Sequence, residues 1–234
     1  MDLRVSSNII IKITDKKIHE EFGMEIEYIV NMLARWGHLL FGMTWIGLLY
    51  YFNFIQGGYF KSASPEALKD AKAKLAPEAL WWFRWGAMFT FITGLVLLYG
   101  VEKMGIMNSY IVIGATLGTF MFLNVWVIIW PNQKIALGML EGDAASAGGK
   151  ALLASRTNTL FSGPMAFCML AGGHFGAWGN LSAHMNAMYA ALAVVIILEL
   201  NAIFGKQGPM TSVRGVIVSS LVLTGIIVAI LQMV

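Results

Sequence analysis

Six long apolar runs, separated by short polar intervals, set the pattern of this chain. They fall at about 29–56, 80–101, 109–130, 157–178, 185–204 and 214–233. A helix needs about 20 apolar residues to cross a bilayer. The predicted fold is therefore all-α, a polytopic transmembrane helical bundle of about six spans. The first run is long enough to tilt or to reach beyond the bilayer. Two intervals, 57–79 and 131–156, are longer and rich in lysine and alanine. They predict amphipathic surface helices, with Pro65 near a helix start. Pro131 is expected to end the third span and turn the chain. Residues 1–27 hold one short apolar run, Ile9-Ile10-Ile11, broken at once by Lys12, Asp15, Lys16 and Lys17. That stretch lacks the apolar core and small-residue cleavage pattern of a signal peptide. It predicts an interfacial arm, 1–27, ahead of a membrane domain, 28–234.

Composition agrees with the pattern. Hydrophobic residues make up 58% of the chain and charged residues 12%, whereas a soluble domain carries about 25% charged residues. The partner implied is membrane lipid. The net charge of +3 does not point to nucleic acid, because the basic residues are spread through the loops. One cysteine, Cys168, lies inside an apolar run. A CxxC metal site, an internal disulfide and a covalent CxxCH haem are all excluded within this chain.

Charge also sets orientation. The N-terminal tail and the loops after spans two and four hold five basic residues, Arg4, Lys12, Lys16, Lys17 and Lys103. The loops after spans one, three and five hold nine: Lys61, Lys69, Lys72, Lys74, Lys134, Lys150, Arg156, Lys206 and Arg214. The positive-inside bias puts the long loops in the cytoplasm and both termini outside.

Two histidines interrupt the apolar runs, His38 in the first and His174 in the fourth. An ionisable side chain within a span is costly and marks a functional site by default. In this topology both fall toward the outer side. Two histidines on different helices are also what a transmembrane haem b needs, one for each face of the iron. Around His38, Arg35, Gly42 and Trp45 share a helical face. Gly42 would let a flat macrocycle approach, and Arg35 would meet haem propionates. The alternative stays open: a lone intramembrane histidine can bond a neighbouring helix, and small residues serve helix packing. His184 is an interfacial backup ligand, and His19 lies in the charged tail.

A second polar set gathers at the cytoplasmic ends of the spans. Asn53 and Gln56 close span one, and Arg84 opens span two. Asn124, Asn132 and Gln133 lie toward the end of span three, Arg156, Asn158 and Ser162 open span four, and Glu199 and Asn201 close span five. Polar residues near helix ends reach water cheaply. The functional reading is a pocket for a planar, hydrogen-bonding anion. Amides supply donors and acceptors, and arginine supplies a fork of donors. Asn53, Gln56, Arg84, Asn132, Gln133 and Asn158 are the substrate-binding candidates. Asn124, Arg156 and Glu199 are the candidates nearest the chemistry, with Glu199 a proton acceptor if buried.

The segments RWGHLLFGMTWIG (35–47), LWWFRWGAMFTFITG (80–94), NVWVIIWPNQK (124–134), RTNTLFSGPMAFCM (156–169) and GGHF (172–175) follow one another in that order. Together they resemble the membrane domain of the bacterial membrane-bound urate oxidases, over roughly residues 28–205. The resemblance implies a multi-span domain of a bacterial inner membrane. It also implies oxidation of a purine, urate, with electrons passed to a c-type cytochrome. Members of that family carry a cytochrome domain after the spans, and this chain contains no CxxCH. A separate cytochrome or a larger redox complex is the expected partner. Two further readings stand beside this one: a non-catalytic haem subunit of a respiratory complex, and a small-solute transporter without haem.

Overall fold

The computed structural model describes the backbone of residues 3–175 and 185–233, and the side chains of 23–175 and 185–232. Every regular element among the described residues is helical. Helix α1 (Leu3–Tyr50) widens into a π-turn segment, Tyr51–Gln56, and continues as α2 (Gly57–Ser62). Ser64 caps α3 (Pro65–Asp70) by accepting from the Ala67 amide, with Pro65 in the first turn as expected. A second π segment, Ala71–Leu75, leads without a break into α4 (Ala76–Lys103). After a turn, α5 (Ser109–Leu123) runs through a third π segment, Asn124–Ile129, into α6 (Trp130–Ala136). Then come α7 (Ala144–His174), α8 (Met185–Phe204), a 3-10 turn at Gly208–Thr211, and α9 (Val213–Met233).

Among the described residues, five helical rods are long and apolar enough to cross a membrane: Gly23–Ser62, Pro65–Lys103, Ser109–Ala136, Met185–Phe204 and Val213–Gln232. The protein is thus a multi-pass membrane protein. The remaining expected span, 157–178, is α7 as far as His174, and residues 176–178 lie outside the described residues. At 31 residues, α7 is about 46 Å long, but it does not reach the apolar composition of the others. The reason is its position. Helix α7 packs against α5, α6, α8 and α9, and Arg156, Thr157, Asn158, Thr159 and Ser162 are all buried in it. A helix enclosed by other helices has little lipid-facing surface to make apolar, and small or polar residues let its neighbours approach.

Helix α1 is continuous across residue 28. Two local expectations change. The interval 57–79 forms no separate surface helix, because α3 and the second π segment extend α4 as one rod. Pro131 does not turn the chain; it sits in the first turn of α6 within the rod Ser109–Ala136. Proline removes a donor and crowds the carbonyl four residues back. The wide turn over Asn124–Ile129 loosens the ladder just where that would clash.

Helices α1 and α4 form an antiparallel pair, joined through Glu27 with Lys103, His38 with Thr90, and Phe52 with Phe83. Gly86 permits their closest approach: a Cβ there would lie 3.2 Å from the Trp45 backbone nitrogen. Helices α5 to α9 form a second group around α7. Gly114 plays the matching part, where a Cβ would lie 3.3 Å from the Met169 nitrogen. The groups meet through the Phe91–Phe122 stack, the Trp85–Trp126 edge contact, and bonds from Tyr50 and Asn53 to α7. Gln232 donates to the Tyr110 hydroxyl at 2.8 Å, so α9 ends beside the start of α5. One end of the bundle therefore carries Glu27, Lys103, Asn108, His174 and Gln232, the histidine end. The other carries the 62–65 and 137–143 turns, the lysine-rich end.

Candidate functional site

The histidine end was expected to hold a pair of ligands. His38 is half-buried between α1 and α4, and its Nδ1–H donates to the Thr90 carbonyl at 2.9 Å, with the Thr93 hydroxyl 3.2 Å away. Gly94 faces the ring, since a Cβ there would lie 3.1 Å from His38 Cε1. His174 is exposed at the end of α7, and its Nδ1–H donates to its own Leu170 carbonyl at 2.8 Å. In both rings this leaves Nε2 as the free nitrogen. A metal-bound histidine characteristically spends its other ring nitrogen on a carbonyl in this way. Each ring, taken singly, thus fits a ligand.

The two rings are not brought together. They share no hydrogen-bond partner. His174 lies level with Asn108, whose side chain donates to the Gly172 carbonyl. His38 lies level with Thr90, roughly three turns further in along α4. Gly42 faces Thr90 of α4 at van der Waals distance, and Trp45 is buried in the core. Arg35 is exposed and donates to Asn31 at 2.7 Å. His184 lies outside the described residues, as does the His19 side chain.

The lysine-rich end behaves differently. Asn124, 1% exposed, opens the third π segment. Its Nδ2 donates to Asn158 Oδ1 at 2.9 Å and to Glu199 Oε2 at 3.1 Å. Three helical elements are thereby tied at one point. Asn158 in turn donates to the Met121 carbonyl at 2.9 Å. On α1, Asn53 lies in the first π segment, and its Nδ2 donates to the Leu49 carbonyl at 2.9 Å and to the Ser155 hydroxyl at 2.8 Å. Ser162 donates to the Thr159 carbonyl, so the Tyr50 hydroxyl 2.8 Å away is the donor in their pair.

Several polar atoms here are buried and carry no hydrogen bond: Asn53 Oδ1, Gln56 Oε1, Asn124 Oδ1, Arg84 Nη1, and Nε and Nη1 of Arg156. The indole N–H groups of Trp45 and Trp126 join them. Native proteins leave few such groups, and each calls for a partner. The Arg84 guanidinium also lies 3.4 Å above the Trp130 ring. The set combines the Asn53 and Asn124 oxygens, whose own N–H groups are spent, and the Gln56 oxygen with arginine and indole donors whose hydrogens are not.

Not every candidate belongs to this set. Asn158 is a brace, with both ends of its amide engaged. Asn132 donates to the Ile128 carbonyl of its own helix at 2.7 Å, and Gln133 is half-buried beside it. Asn201 closes the end of α8 by bonding Lys206. Arg156 is buried, but by helical rotation it projects about 160° away from Asn158. Its own face continues to Gly163, which packs on Ser220 of α9. It is therefore a second buried cation at the same depth rather than a neighbour of Asn124 through α7. Two open grooves lie elsewhere: one of about 430 Å³ beside Lys69, Lys72 and Leu137, and one of about 330 Å³ between α4 and α5. Neither touches the unpartnered groups.

Sequence reasoning missed Trp126, the Ser155 and Tyr50 bonds, and the π segments that aim Asn53 and Asn124. Wide turns often mark functional sites but leave no residue signature. Trp126 could have been found, because it sits between Asn124 and Trp130 in one of the quoted motifs.

Comparison with known proteins adds one finding. The family model described as urate oxidase N-terminal matches residues 102–232, more than half of the chain. The match covers the α5 to α9 group, including Asn124, Asn158, His174 and Glu199, and leaves out His38 and the α1–α4 pair. No curated protein and no solved structure matches the chain.

Proposed function

The chain belongs to the urate oxidase N-terminal family, and from that premise we propose that its lysine-rich end binds urate, on the cytoplasmic side of a bacterial inner membrane. The observation that carries this reading is the sorting of unpartnered atoms. Asn53 and Asn124 have spent both amide hydrogens and offer only oxygen, and Gln56 Oε1 is likewise free. Such acceptors call for N–H donors on the ligand. Arg84 offers a cationic N–H against negative charge or a carbonyl. A planar anion edged with N–H and C=O groups answers both. A buried site left with unmet hydrogen bonds discriminates strongly against ligands that cannot fill them.

Electrons leaving urate need a carrier, and haem b is the proposed one. His38 is the residue that would hold it, with Nδ1 anchored on Thr90 and Nε2 free. His174, anchored on Leu170 about three turns further out, would not reach the same iron, so His38 would hold the haem from one face. When bound, haem b supplies one-electron transfer. The acceptor is a separate c-type cytochrome or a larger redox complex at the histidine end. Arg35, exposed at that end, is the group offered to haem propionates.

The test uses the detergent-purified chain. Calorimetry is expected to show saturable urate binding, and oxidised and dithionite-reduced spectra with a pyridine haemochrome assay are expected to show haem b. Urate binding without haem would remove the electron-transfer half. Urate carried across vesicles by haem-free protein would replace the whole reading with solute transport.

A further inference from the structure

We infer that Glu199 and Asn158 are positioning residues that lock the Asn124 amide with its oxygen toward the ligand, and so set the site's preference for an N–H donor. The inference rests on the urate-binding reading and deepens it.

Some groups in this network have fixed roles. The Met121 carbonyl can only accept, so Asn158 must present its Nδ2 there, at 2.9 Å. That turns Asn158 Oδ1 toward Asn124, where it accepts from Nδ2 at 2.9 Å. Glu199 Oε2 accepts from the same nitrogen at 3.1 Å. An amide nitrogen carries two hydrogens, and both are now taken. Asn124 Oδ1 is left buried and without a hydrogen bond. Turning the amide over would set its oxygen against the Asn158 oxygen and a carboxylate, both acceptors, with no donor between them. The orientation of a side-chain amide follows from its network, and this network allows one. Asn158 is fully buried and Glu199 is 8% exposed, so water does not readily supply the missing donor. Asn124 is the group that would touch the ligand. Glu199 acts through it.

The lock has two parts. In Glu199→Gln the new amide can donate to a turned Asn124, but Asn158 Oδ1 still opposes its oxygen; in Asn158→Leu the Glu199 carboxylate still does. Each change alone weakens the preference, and both together free Asn124 to present its N–H groups to the interior.

The experiment measures binding of urate, xanthine and 8-azaxanthine by the full chain in detergent, for wild type, Glu199→Gln, Asn158→Leu and the double variant. The two analogues are planar and place a ring-nitrogen acceptor in the five-membered ring where urate places an N–H; both also lack its 8-carbonyl, so the change of the ratio between variants is the decisive readout. Wild type is expected to prefer urate by about tenfold or more, one hydrogen bond's worth of discrimination. Each variant is expected to lower that ratio part of the way, and the double variant Glu199→Gln/Asn158→Leu to bring it toward unity, while all still bind purine. A packing role would weaken every ligand by the same factor and leave the ratio unmoved, which would overturn the inference. A wild type that binds urate without preference overturns it as well, and needs no variant to fold. Wild type binding none of the three would remove the urate reading and this inference together, whereas urate bound with an unmoved ratio removes the inference alone.

Discussion

The two ends of the bundle differ in how much buried hydrogen-bonding capacity they leave unspent. At the histidine end Arg35 is answered by Asn31 and His174 by Leu170 within their own helices, Asn108 bonds Gly172 and Gln232 bonds Tyr110 between helices, and the Ser109 hydroxyl is buried without a partner; deeper in, His38 bonds Thr90 across the α1–α4 pair. At the lysine-rich end the bonds join α1 to α7, the third π segment to α7, and the same segment to α8. They also leave oxygens and N–H groups over. A polar residue within a span invites a functional reading in both places. What separates them is hydrogen-bonding capacity that is buried and unspent, because an unmet buried donor or acceptor costs free energy that a ligand can recover.

The sharpest way to break the comparison is at its histidine end. If His38 is a ligand, His38→Ala is expected to remove haem altogether, read by the pyridine haemochrome assay on purified protein. Full haem content in that variant would reduce His38 to a bond between α1 and α4. His174→Ala is expected to keep haem and leave its spin state unchanged, because His174 stands about three turns further out than His38. At the lysine-rich end Asn124→Leu is expected to weaken urate binding by about 100-fold or more, since a site of matched hydrogen bonds tolerates mismatch poorly. It also strips Asn158 and Glu199 of their shared donor, so a loss of about 1–3 kcal/mol for each acceptor left buried is expected in thermal unfolding.

Arg84→Gln sharpens the contrast with a smaller effect. It removes the charge above Trp130 and the unpartnered Nη1 but retains a side-chain amide. Urate affinity is expected to fall about tenfold, in keeping with the loss of one charge-assisted bond. Asn132→Ala is the control, because Asn132 bonds its own helix and should leave urate affinity unchanged.

The apolar runs made the helices and the near-even set of crossings legible, because lipid imposes one composition on every exposed helix face. They could not show that α7 is enclosed, since a run broken by Thr157, Asn158, Thr159 and Ser162 reads as a poorer span rather than a central one. The gathering of Asn53, Asn124 and Glu199 at one end followed from alternating direction alone. Their exact partners did not, because π segments shift which residues face inward. The separation of Arg156 from Asn158 is legible in the 100° step per residue, which grouping by depth does not register. The pairing of His38 with His174 could be tested in sequence only by side of the membrane, and sharing a side is a weaker condition than sharing a site.

Smaller effects test the packing that holds the two ends apart. Gly114 meets α7 at the histidine half, where a Cβ would lie 3.2 Å from Cys168 Cβ and 3.3 Å from the Met169 backbone nitrogen. The neighbour is partly backbone and cannot swing aside. Gly114→Ala is expected to cost about 1–3 kcal/mol, the usual toll of overpacking, seen as a lower melting temperature in detergent. Urate binding at the other end should be unaffected.

The smallest expected change concerns Tyr50. Its hydroxyl donates to Ser162 at 2.8 Å, and this bond is one of the few that join α1 to α7. Tyr50→Phe keeps the ring and its stack on Phe54, 4.9 Å away, and deletes only the donor. Ser162 still donates to the Thr159 carbonyl, so no donor is stranded, and the loss should stay at about 0.5–1.5 kcal/mol. The informative quantity is the affinity measured alongside stability. If the two helical groups enclose the ligand, the α1–α7 bond helps set their spacing, and urate affinity should drop a few-fold with the melting temperature. If the unpartnered atoms are filled by water alone, stability will fall and urate will be indifferent. A bond of about 1 kcal/mol can thus report whether the junction between the α1–α4 pair and the α5 to α9 group is a binding site or only a seam.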